Sequence, residues 1–233
     1  MSVARVTARA VPMLAALSEE ALTRLLAVAQ LRSLKRRELA WPAHEQRRWV
    51  GWVVCGSVVG VSHTLDGREV ALFRCGAGDV FGESELLAGA QDGVTLLWVA
   101  GEATTVILAP AEAWRFALAA DAPAALAAAE RIARQQVRLL WLRQVLAEPS
   151  TPLRVAAILR WLAEEGEVAA VAGFDNGRWL PPGVTQQEVA AYANTTRETV
   201  TRVMQRLQAE GIAVRSSAGW AVDVARLRRW QPG

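Results

Sequence analysis

The chain has 233 residues, 52% apolar and 21% charged, a balance that suits two modest domains with their own cores and excludes a disordered or low-complexity chain. A formal net charge of +3 is too small by itself to argue for a nucleic-acid partner. No run of about 18 apolar residues occurs and residues 1–12 carry no signal-peptide pattern, so a cytoplasmic protein with no membrane span is expected.

From Leu17 to Leu26 apolar residues recur at helical spacing behind Ser18, a residue suited to an N-cap, which predicts a first helix. Between Leu31 and Leu108 short apolar runs are cut by turn signals such as Leu65-Asp66-Gly67-Arg68 and Cys75-Gly76-Ala77-Gly78-Asp79. That is the pattern of short antiparallel strands in a sandwich or jelly-roll barrel. From Pro110 to Leu146 the sequence turns helical and Ala-rich, with a break at Asp121-Ala122-Pro123, where Asp121 can cap and Pro123 fits a first turn. Ile132, Leu139 and Leu146 recur every seven residues with Leu142 between them, a seam that suits either a partner helix or the face of the barrel.

Glu148-Pro149-Ser150-Thr151-Pro152 stops the long helix and marks a hinge, with Thr151 and Pro152 opening the next helix. Beyond it the spacing predicts a helix from Leu153 to Glu165, a strand near Asp175-Asn176-Gly177 and two short helices between Gln186 and Glu210. A hairpin closing on Ser216-Ser217-Ala218-Gly219 and a last helix after Asp223 complete the chain. The expected organisation is an α+β chain: a β-barrel over 1–120, a long helix over 121–149 and a domain with a pair of short helices and a hairpin over 150–233.

Residues 184–207 carry the chemistry. Val189, Ala190 and Ala193 give one helix an apolar face, and Val200, Val203 and Leu207 give the next helix its own, so the two must pack together. Between them Asn194 falls where a tight turn usually wants Gly, and Asn is the residue that best tolerates the left-handed conformation. Thr195 or Thr196 can cap the second helix, leaving Arg197, Glu198 and Arg202 directed away from the packed face. Arg can bond O6 and N7 of guanine together and Glu can accept from the N4 amine of cytosine, so these three suit G·C pairs in a major groove. Within 195–215, Arg197, Arg202, Arg206 and Arg215 face only Glu198 and Glu210, the local excess that a phosphate backbone needs. Thr185, Gln186, Thr196 and Ser217 have donors suited to phosphates at helix starts and the hairpin tip.

Several chemistries lack their residues. Cys55 and Cys75 form no CxxC pair, and two histidines cannot build the metal cluster of a cupin-like enzyme, so no metal, cofactor or catalytic site is expected. His44 lies in a charged turn and His63 precedes the Asp66-Gly67 hairpin, ordinary surface settings rather than haem ligands. Cys75 follows Arg74, which leaves thiol redox sensing open beside a buried structural role. Trp41, Trp49, Trp52 and Trp98 either fill the space inside the barrel or pack as ordinary core.

Taken in order, Cys55-Gly56-Ser57-Val58, Asp66-Gly67-Arg68-Glu69-Val70, Gly76-Ala77-Gly78-Asp79-Val80-Phe81-Gly82-Glu83 and Thr195-Thr196-Arg197-Glu198-Thr199-Val200-Thr201-Arg202 resemble the CRP/FNR family of bacterial regulators from Leu17 to about Leu227. The resemblance implies a cyclic-nucleotide-binding-like jelly roll, a long dimerisation helix, and a winged helix-turn-helix on palindromic double-stranded DNA. It also implies contact with RNA polymerase, as in a transcription activator. It carries base contacts onto Arg197, Glu198 and Arg202 with TGTGA-like half-sites, and an effector pocket onto Gly82, Glu83, Val94, Thr95 and Leu139.

The departures concern the effector. Cyclic-nucleotide binders of the family follow Gly-Glu, about ten residues on, with Arg-Ser or Arg-Thr, whereas Asp92-Gly93-Val94-Thr95 stands here, so the phosphate lacks that arginine. Leu139 and Leu140 replace the hydroxyl residues that meet adenine, and no cysteine precedes Cys55 to hold an iron–sulfur cluster. The expectation is a homodimeric regulator not gated by cyclic AMP, its effector unnamed. The alternatives are a nucleotide- or partner-binding signalling module without DNA binding, or a haem- or redox-sensing regulator.

Overall fold

The computed structural model describes residues 8–45, 48–83, 87, 96–217 and 219–232. The chain divides into two compact units, 1–138 and 139–233, so the division falls inside the long helix.

The first unit opens with helices α1 (Pro12–Ala15) and α2 (Glu19–Ala27); Ser18 caps α2 by accepting from the Ala21 N–H at 3.3 Å. Its strands are β1 (Gln30–Leu34), β2 (Trp49–Cys55), β3 (Val58–His63), β4 (Glu69–Cys75), β5 (Val80–Phe81), β6 (Leu97–Ala100) and β7 (Thr104–Pro110). They pair antiparallel in two sheets, ordered β1-β7-β2-β5 and β4-β3-β6, as the sequence pattern of a jelly roll requires.

The tryptophans serve two different cores. Phe81 stacks on Trp41 at 5.3 Å and meets Trp98 at 5.3 Å, so Trp41 and Trp98 belong with Val53, Val58 and Val106 to one apolar cluster. Alternation along β2 sends Val50 and Trp52 to the opposite face, where Trp52 meets Trp114 edge-on at 6.0 Å among Leu22 and Leu25. Trp114 lies on α3 (Ala111–Ala120), and Trp49 is tied instead to Glu45 through its indole N–H at 2.9 Å.

The predicted break separates α3 from α4 (Ala122–Leu146). There the Asp121 carboxylate accepts from the Ser18 N–H at 2.6 Å, and this bond holds it below the usual carboxylate range. In the single chain the apolar rows of α4 differ in exposure. Ile132, Leu139 and Leu146 are half-buried and Leu142 is buried, whereas Leu126, Val137 and Leu140 are 62%, 66% and 56% exposed. A heptad count alone does not fix phase, because several apolar rows coexist on an Ala-rich helix.

The second unit contains α5 (Thr151–Glu164), β8 (Gly177–Trp179), α6 (Gln186–Tyr192), α7 (Arg197–Ala209), β9 (Ala213–Ser216), β10 (Gly219–Asp223) and α8 (Val224–Arg229). Pro152 sits in the first turn of α5, where its missing N–H costs nothing. The sheet order is β8-β10-β9, and α5, α6 and α7 bury Ile158, Leu159, Leu162, Val189, Val200, Val203 and Leu207. Asp223 caps α8 through the N–H groups of Ala225 and Arg226 and also accepts from the Asp175 N–H. Among the described residues no helix is long and apolar enough to cross a membrane.

Candidate nucleic-acid interface and effector pocket

Local chemistry builds the helix pair α6 and α7. Thr185 caps α6 by accepting from the Glu188 N–H at 3.1 Å, and α6 buries Val189, Ala190 and Tyr192. The chain then turns at Asn194, whose φ of 47° is the left-handed conformation anticipated for that position. Thr195 donates its N–H back to the Ala190 carbonyl at 3.0 Å, and the Thr196 hydroxyl caps α7 by accepting from the Thr199 N–H.

Helix α7 buries Val200, Val203, Met204 and Leu207 and leaves Arg197, Glu198 and Arg202 exposed. Arg202 donates to the Thr199 hydroxyl at 3.2 Å. The Glu198 carboxyl is held below the usual carboxylate range by its own backbone N–H and the Thr196 hydroxyl, with Arg197 and Arg202 adding to the effect. It is therefore an ionised acceptor at neutral pH. The Thr201 hydroxyl donates to Gln186 Oε1 at 2.8 Å, which ties the start of α6 to α7 and leaves the Gln186 amide nitrogen as a donor. Ser217 is exposed in the β9–β10 turn. Beside it the Arg215 guanidinium lies over the Trp220 ring, 5.8 Å from its centre, an arrangement that charge counting alone does not reveal.

In the first unit Gly82 has φ +86°, and a Cβ there would stand 3.0 Å from the Trp49 carbonyl and from the Trp41 ring, so only glycine fits. The next residue, Glu83, is 1% exposed. Arg131 of α4 donates from Nε to Glu83 Oε1 at 2.7 Å and from Nη1 to Asp79 Oδ1 at 2.9 Å, and its Nη2 reaches the Val80 carbonyl. Gln135 adds a bond to Glu83 Oε1 at 3.0 Å, while Glu83 Oε2 is buried with no hydrogen-bond partner among the described residues. Burial pushes the Glu83 carboxyl above its ordinary range, and the Arg131 charge opposes that push. Beside the pair lies a cavity of about 190 Å³ lined by Phe73, Arg74, Asp79, Arg131, Arg134 and Arg138.

Arginines line this cavity from two elements, Arg74 on β4 and Arg131, Arg134 and Arg138 on α4, some 50 residues from Glu83 in sequence. Leu139, expected in an effector pocket, is half-buried and does not line this cavity, to which α4 contributes residues up to Arg138. Val94 and Thr95 lie outside the described residues.

Cys75 is 1% exposed and burial drives its thiol far above the ordinary range despite Arg131, so it is not poised as a thiolate. Cys55, His44 and His63 are exposed, and among the described residues no group of three or more His, Cys, Asp or Glu could hold a metal.

Residues 153–230 match the Crp-like helix-turn-helix domain. None of the curated proteins compared with the chain matches it in sequence. Among solved structures, FixK2 from Bradyrhizobium japonicum is 25% identical with a TM-score of 0.69, over 88% of this chain and 98% of that one. The c-di-GMP responsive global regulator CLP from Xanthomonas campestris is 22% identical with a TM-score of 0.68, over 88% and 99%. A CooA variant from Carboxydothermus hydrogenoformans is 20% identical with a TM-score of 0.68, over 88% of each chain. Residues 153–230 are thus a Crp-like helix-turn-helix domain, and the chain as a whole shares the fold of these CRP/FNR-type regulators.

Proposed function

We propose that a homodimer of this chain reads palindromic DNA with TGTGA-like half-sites in the cytoplasm, in contact with RNA polymerase and without gating by cyclic AMP. The observation that carries the reading is the exposed set Arg197, Glu198 and Arg202 on a helix fixed by the Asn194 turn and the Thr196 cap. A bidentate Arg on guanine and a carboxylate on cytosine match the G·C pairs of such a half-site. Thr185, Gln186, Thr196 and Ser217 supply phosphate contacts that fix register. The exposed stripe of Leu126, Val137 and Leu140 is the dimer surface, and 1–120, 121–149 and 150–233 act as sensor, dimerisation helix and DNA reader.

The reading against cyclic AMP rests on Asp92-Gly93-Val94-Thr95, which stands where the family resemblance puts the arginine that pairs the cyclic phosphate, and on Leu139 and Leu140, which offer adenine no hydrogen bond. The proposed effector pocket takes Gly82 and Glu83, and the family resemblance adds Val94 and Thr95 from the sequence alone. Arg131 and Gln135 hold one Glu83 oxygen, and the other, Oε2, has no hydrogen-bond partner among the described residues, so Glu83 itself does not bar a ribose hydroxyl. The protein carries no catalytic role in this account.

Fluorescence anisotropy of the purified protein on a palindrome with two TGTGA half-sites about one helical turn apart, against a scrambled duplex, tests it. Tight binding to the palindrome, unchanged by cyclic AMP, is the expected result. Equal affinity for both duplexes refutes the half-site, and binding that needs cyclic AMP refutes the claim about gating.

A further inference from the structure

Arg154, in the first turn of α5, belongs to neither the base-reading set nor the effector pocket, yet all three of its guanidinium nitrogens are engaged. Nε donates to the Ala193 carbonyl at 3.1 Å, Nη1 to the carbonyls of Glu148 and Pro149 at 2.9 and 3.3 Å, and Nη2 to the Thr151 hydroxyl at 2.9 Å. Ala193 ends α6 and immediately precedes Asn194, the left-handed residue that aims α7. Glu148 and Pro149 belong to the strap that leaves α4, where the helical ladder has ended and carbonyls need new donors. One side chain therefore bridges two backbone segments about 45 residues apart in sequence, at the helix exit and at the turn of the DNA reader.

We infer that Arg154 is a positioning residue through which the strap at 147–150 and the turn at 193–196 move as one body. A planar fork can serve acceptors in three directions with a fixed relative geometry, whereas the point charge of lysine on a flexible stem cannot. The acceptors are backbone carbonyls and a hydroxyl rather than a carboxylate, so the role is geometric and does not neutralise a charge. A displacement of the strap is passed to the Ala193 carbonyl and from there to the start of α7. The inference rests on the proposed DNA-reading role of α7 only for its functional consequence.

Hydrogen–deuterium exchange on the full-length protein tests the coupling without DNA. Arg154→Lys should quicken exchange about tenfold in peptides covering 145–150 and 190–196 together, while peptides covering β2 and β7 stay unchanged. Pro149→Gly, which loosens the strap, should quicken exchange at 190–196 in the wild-type background and add nothing in Arg154→Lys. Equal effects of Pro149→Gly in both backgrounds, or a change confined to one segment, overturn the inference, since a merely stabilising arginine would give them. On DNA, Arg154→Lys should lower palindrome affinity at least tenfold and leave scrambled-duplex affinity unaltered. If the wild type itself does not discriminate between the duplexes, the half-site assignment fails while the exchange result still decides the role of Arg154.

Discussion

Arg131→Met tests how the buried Glu83 carboxyl is held. The substitution keeps much of the side-chain volume but strips Glu83 of its cation and its 2.7 Å donor, leaving Gln135 as the hydrogen-bonding partner of a carboxyl that is 2% exposed. The variant escapes the cost of a buried unpaired charge by protonating Glu83, and this sets a ceiling. Each pH unit above an ordinary glutamate value of about 4.3 is worth about 1.4 kcal/mol, so the electrostatic loss is at most about 4 kcal/mol at pH 7 and about 1 kcal/mol at pH 5. The sign follows from the raised carboxyl: the stability contributed by neutral Glu83 is present below its unfolded value and is lost as pH rises through its folded value. Urea unfolding at the two pH values, followed by fluorescence, should show a deficit in Arg131→Met that shrinks on acidification. Adding Glu83→Gln should restore most of the loss at pH 7. A deficit independent of pH, or a double variant no better than Arg131→Met, would refute this account of the pair.

Three further outcomes are expected. Asn194→Gly should be close to neutral, because glycine accepts a φ of 47°, whereas Asn194→Val should cost about 1–2 kcal/mol and be seen as a lower melting temperature of the second unit together with weaker DNA binding. Val137→Glu places a charge on a residue 66% exposed in the single chain and should convert the dimer to a monomer in sedimentation, with little change in the melting temperature of the sensor. Gly82→Ala should destabilise the first unit by about 1–3 kcal/mol in thermal unfolding, through the +86° backbone and the 3.0 Å approach to the Trp49 carbonyl.

What the sequence revealed was mainly local. Ser18, Thr196 and Asp223 announce helix starts by side-chain chemistry within three residues, and each accepts the bonds expected of a cap. Asn194 was legible because few residues other than glycine enter the left-handed region readily, and Asp121-Ala122-Pro123 because proline fits a first turn. The pairing of Arg131 with Glu83 was hidden because it joins residues 48 apart and depends on where α4 runs beside the barrel. Which apolar row of α4 meets a partner is not legible in the sequence, since a heptad count gives period and not phase. Arg154 gave no signal at all, because its acceptors are backbone carbonyls brought close only by the fold.

The central claim is that Arg197, Glu198 and Arg202 read base edges. The most direct measurement is the affinity of the wild type and of Arg202→Ala for the palindrome and for every single base-pair substitution in one half-site, at fixed salt. The account predicts that the wild type discriminates by about 1–3 kcal/mol at a particular G·C pair, and that Arg202→Ala loses that discrimination there while keeping it elsewhere. A uniform drop in affinity across all substitutions, with every preference retained, would instead make Arg202 a phosphate contact and contradict the claim.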